Sequence, residues 1–133
     1  MKYRHLPVKN YKMDIKITNT ENLKIAELSN SEFRLNDIED ITDLLGNSFY
    51  LDANCIMLSE DNLPASFFEL KTRVAGEVLQ KFSNYNQRLA IVGDFSKYES
   101  KSLRDFIFES NKTGRILFAG TREEAIERWS KKK

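Results

Sequence analysis

Leu89-Ala90-Ile91-Val92-Gly93 is the stretch on which the fold turns. Four apolar residues in an unbroken run, stopped by a glycine, read as a strand covered on both faces; a half-exposed strand would alternate polar and apolar residues. Cys55-Ile56-Met57-Leu58 has the same character, as does Ile116-Leu117-Phe118, ended by Gly120. An amphipathic segment follows each run. Ser66 and Glu69 make a capping-box pattern that predicts a helix to about Phe82, broken from the preceding strand by Leu63-Pro64. Ser100 opens a helix that ends between Asn111 and Gly114, and Thr121 with Glu124 opens the last one.

Upstream, Lys12 to Thr18 alternates around Met13, Ile15 and Ile17, which predicts a half-buried strand. Asn19 to Asn22 is turn chemistry, and Leu23 to Leu28 is a second strand antiparallel to the first. Asn36 is placed to cap a helix, with Glu39 at the reciprocal position and Ile38, Ile41, Leu44, Leu45 and Phe49 on one arc. The order is ββαβαβαβα. It predicts an α/β domain with a small, mostly parallel five-stranded sheet, an antiparallel N-terminal hairpin strand and helices packed on it. The first strand is expected at or near an edge. Residues 1–10 read as a tail, 11–130 as one domain and 131–133 as a short basic end.

The chain has 133 residues, 41% hydrophobic and 31% charged, with a net charge of +1, so its total charge gives no reason to expect a nucleic acid or an anionic membrane. The charges are unevenly placed. Ser31 to Leu63 carries eight acids against the single base Arg34, whereas Lys71 to Arg104 carries seven bases against three acids. Cys55 is the only cysteine, which excludes an intramolecular disulfide and suits a reducing cytoplasm. No apolar stretch approaches the ~18 residues of a membrane span, and the N-terminus lacks the apolar core of a signal peptide.

The block from Glu69 to Tyr85 (ELKTRVAGEVLQKFSNY) resembles a small bacterial family known as domain of unknown function 4180. So do Leu89 to Tyr98 (LAIVGDFSKY) and Ser100 to Asn111 (SKSLRDFIFESN), and the resemblance spans Lys12 to Trp129. It implies the fold and no particular activity. The element order and the opening Thr121-Arg-Glu-Glu-Ala-Ile are also similar to STAS domains, the sulphate transporter and anti-sigma factor antagonist group. Antagonists of that group carry a phosphorylated Ser after an Asp at the helix following the third strand. Ser66 falls near that place, but in Pro64-Ala65-Ser66-Phe67 no Asp precedes it and no Gly-rich continuation follows.

Catalytic machinery is not evident. His5 is the only histidine and lies in the tail, so a Ser-His or Cys-His pair would need it folded back onto the domain. Cys55 sits in a buried type of strand, where cysteine behaves as a small hydrophobe. No metal-ligand spacing, Gly-rich phosphate loop or nucleophile elbow is present. No catalytic residue, metal or cofactor is therefore expected.

Two places remain. Ligands of open α/β sheets bind beyond the carboxyl ends of the strands. There the sequence brings Asp61, Asp94, Ser96 and Lys97 beside helix starts at Ser66, Ser100 and Thr121, whose free N–H groups suit an anion unless the capping side chains satisfy them. On a continuous helix from Ser66, Lys71 falls mid-arc among apolar residues, where it either reaches the rim or snorkels to water. The second place is the outer helical surface. Phe108 lies opposite the core face of its helix, beside Lys101, Arg104 and Asp105, in the manner of an interface anchor or of an ordinary exposed aromatic. Gly76 lies mid-helix away from the core, a position that favours close approach by a neighbouring helix or a second subunit. The expectation is a non-enzymatic regulatory or interaction module that binds itself or a protein partner. The alternative is a sensor holding a small anionic ligand at the rim.

Overall fold

The three apolar runs lie side by side in the computed structural model of the protein, which describes residues 13–20, 22–28 and 33–131. The expected tail at 1–10 with His5, the first residue of the expected strand, Lys12, and the terminal Lys132 and Lys133 fall outside the described residues. The strands are β1 (Ile15–Asn19), β2 (Lys24–Leu28), β3 (Cys55–Ser59), β4 (Arg88–Val92) and β5 (Ile116–Ala119), in the spatial order 1-2-3-4-5. β1 pairs antiparallel with β2, Ile17 opposite Ala26, and every other pairing is parallel, with Ile56 opposite Leu89 and Ala90 opposite Leu117. The helices are α1 (Ile38–Tyr50), α2 (Val74–Asn84), α3 (Lys101–Thr113) and α4 (Arg122–Lys131).

A parallel sheet built in one direction by right-handed crossovers receives all its crossover helices on one face. The core obeys this rule. Ala26, Ile56, Leu58, Leu89, Ile91 and Phe118 point to the layer that takes Ile41, Leu44 and Leu45 of α1, Ala75, Val78 and Phe82 of α2, and Leu103 of α3. The alternate residues Ile25, Cys55, Met57, Ala90 and Leu117 point to the other face, where α4 contributes Ala125 and Trp129. Unbroken apolar runs follow from this double coverage. α4 is fastened at its start by Arg122, whose Nε and NH2 group donate to the two carboxylate oxygens of Glu27, both at 2.9 Å.

Local structure departs from the sequence reading at three points. The α1 cap is Asp37, not Asn36: Asp37 Oδ1 accepts from Asp40 N at 3.0 Å, and Asp40 Oδ2 in turn accepts from Asn36 N at 2.9 Å. Phe49 is 66% exposed, because Ser48 takes the last core position after Ile41, Leu44 and Leu45, and a further 100° turns Phe49 to solvent.

The third departure is the largest. No continuous helix runs from Ser66. Three short 3-10 turns, Glu60–Asn62, Ala65–Phe68 and Leu70–Thr72, precede Arg73 at φ 68°, and α2 starts only at Val74. Consecutive burial of Phe67 and Phe68 anchors the segment. The Thr72 hydroxyl shares its one proton between the carbonyls of Ser66 and Glu69 and accepts from Val74 N, which ends the turns. Lys71 is consequently exposed rather than on a core arc.

The β5 edge is closed by a side chain. Asn111 of α3 donates to Phe118 O at 3.3 Å and accepts from Phe118 N at 2.8 Å, supplying the partners a further strand would supply. No helix among the described residues is long and apolar enough to cross a membrane.

Candidate functional site

The carboxyl ends of β3 and β4 meet through one residue, Glu60. Its side chain is 11% exposed and its Oε2 receives Lys97 Nζ at 2.7 Å and the Tyr98 hydroxyl. Gly93, at the end of β4, permits this: a Cβ there would stand 2.5 Å from Glu60 Oε1. The loop that carries Lys97 and Tyr98 is pressed down by aromatic contacts. Tyr98 stacks on Phe68 with ring centroids 5.1 Å apart, and Phe95 meets the edge of Phe118 at 5.2 Å.

Burial pushes the Glu60 carboxyl up, but the Lys97 and Tyr98 hydrogen bonds, the Lys97 charge and the Asp94 backbone N–H overcome it and hold it below the ordinary value. Lys97 is shifted up by its hydrogen bond to Glu60, and Tyr98 is shifted up by burial and then by Glu60. All three groups are thereby locked in their neutral-pH states. Together these contacts clamp the two loops to each other.

The other expected rim residues divide. Asp94 accepts from Ser96 N and Ser96 Oγ at 3.1 and 2.6 Å, an Asx-type turn that keeps the Asp94 carboxyl low through those hydrogen bonds. Asp61 is exposed beside the clamp. Ser100 caps α3, its Oγ accepting from Leu103 N at 3.1 Å, and Thr121 caps α4, its Oγ1 accepting from Glu124 N at 3.0 Å. The capping side chains thus take donors that an anion would use. Ser66 belongs to neither helix start. It lines a pocket of about 230 Å³ between the beginnings of α1 and α2, floored by Leu35, Ile41 and Val78 with Asp37 and Glu77 at its edge. Among the described residues no group of three His, Cys, Asp or Glu side chains could hold a metal ion.

A family comparison adds one result: residues 20–129 match the model described as domain of unknown function DUF4180. The chain belongs to the DUF4180 family. No curated protein and no solved structure matched it.

On the outer surface of this DUF4180 domain, Phe108 is 64% exposed, with Lys112 Nζ 5.3 Å from its ring centroid and Arg104 exposed on the same helix. Gly76 is exposed too, and no neighbouring element comes within 4 Å of where its Cβ would be. No described element makes the close approach that Gly76 favours.

The sequence reading overlooked other exposed apolar residues. Tyr50 is 69% exposed beside Phe49, and Leu51 and Tyr85 are each 36% exposed. These residues lie at the ends of α1 and α2, opposite the rim. The two following turns are joined by Gln87, whose Nε2 donates to Ala53 O at 3.0 Å. Three consecutive large apolar residues at a helix end, Phe49-Tyr50-Leu51, were the available signal, since one buried stripe cannot take all three.

Proposed function

We propose that this DUF4180 domain is a non-enzymatic protein-interaction module, regulatory in the manner of STAS-type antagonists, which engages a protein partner through the apolar end formed by Phe49, Tyr50, Leu51 and Tyr85. The exposure of Phe49 and Tyr50 carries the reading. Neighbouring exposed aromatic side chains such as Phe49 and Tyr50 are costly in water and are a feature of partner-binding patches. The clamped rim supports it, because Glu60, Lys97 and Tyr98 satisfy one another and the helix starts are capped by their own side chains. A reducing cytoplasm is the compartment that fits the lone, buried Cys55.

The test is retention of a partner by the tagged full chain. Phe49→Ser/Tyr50→Ser is expected to keep its circular dichroism and lose the partner. A partner retained equally by that variant overturns the assignment.

A second reading, a small-ligand sensor, is favoured only by the pocket that Ser66 lines. Its Asp37 and Glu77 disfavour the anion expected from the sequence and fit a neutral or cationic ligand better.

A further inference from the structure

We draw no further inference here: the strongest candidate, the open groove along the outer side of α2 beside Gly76, is an exposed surface with nothing in the structure to show what covers it.

Discussion

Glu60 occupies the space that Gly93 leaves: a Cβ at position 93 would lie 2.5 Å from Glu60 Oε1 and 2.6 Å from Glu60 Cβ. The second contact is with the root of the side chain, so rotating the carboxylate away cannot relieve it. Gly93→Ala should therefore shift the loop after β3 and cost about 1–3 kcal/mol, as overpacking does in a filled site. Urea unfolding measures this, and an unchanged midpoint would show that the two loops are not in register as described.

The same carboxylate makes stability depend on acid. Its folded pKa is depressed, so its contribution is present above the unfolded value of about 4.3 and is lost as the pH falls through the folded value. At pH 7, Glu60→Gln is expected to cost about 1–2 kcal/mol, typical of a charge-assisted network. The gap between variant and wild type should narrow from pH 7 to an acid pH below the folded value. Thermal melts at the two pH values decide it, and a gap that persists in acid would contradict the clamp.

Trp129 is the only tryptophan and is 1% exposed against the sheet face that α4 covers. Its fluorescence therefore reports the docking of α4. Emission should be blue-shifted and poorly quenched by acrylamide. Arg122→Ala, which removes the fork to Glu27, should increase quenching and cost about 1–2 kcal/mol. Trp129→Ala should cost about 3–5 kcal/mol. Quenching insensitive to Arg122→Ala would mean that Trp129 packing alone holds the helix.

Cys55 is wholly buried in β3, and burial pushes its thiol up to about 11, with Arg88 opposing. At pH 8 it is protonated and shielded, so modification by Ellman's reagent should be slow and follow the opening of the domain. A folded pKa raised above the unfolded value stabilises at low pH and is lost as pH rises, so stability should decline from about pH 9 toward 11. Rapid labelling of the folded chain would refute the burial of this face.

Much of the architecture is legible in the residues because burial on both faces leaves a direct mark. Cys55–Leu58, Leu89–Val92 and Ile116–Phe118 could not be half-exposed strands, and sequential crossovers follow from the amphipathic segments between them. Ser100 and Thr121 cap as their type dictates. Ser66 carries the same local signal as those two, yet tertiary burial of Phe67 and Phe68 overrides it and leaves 3-10 turns. Asn36 and Asp37 are both good caps, and only the fold chooses between them. The Glu60 clamp depends on Lys97 and Tyr98, remote in sequence but brought beside it by the parallel pairing of β3 and β4. The closing of the β5 edge by Asn111 likewise has no local pattern to announce it.

The central claim is that a protein partner covers the end of the domain at Phe49, Tyr50 and Tyr85. Amide hydrogen exchange of the isolated complex against the free chain tests it most directly. Protection is predicted for residues 47–53 and 83–87, the last turns of α1 and α2 and the loops Gln87 joins, with no change at the clamped rim. Protection confined to residues 59–72 and 93–100 would contradict it and transfer the function to the rim.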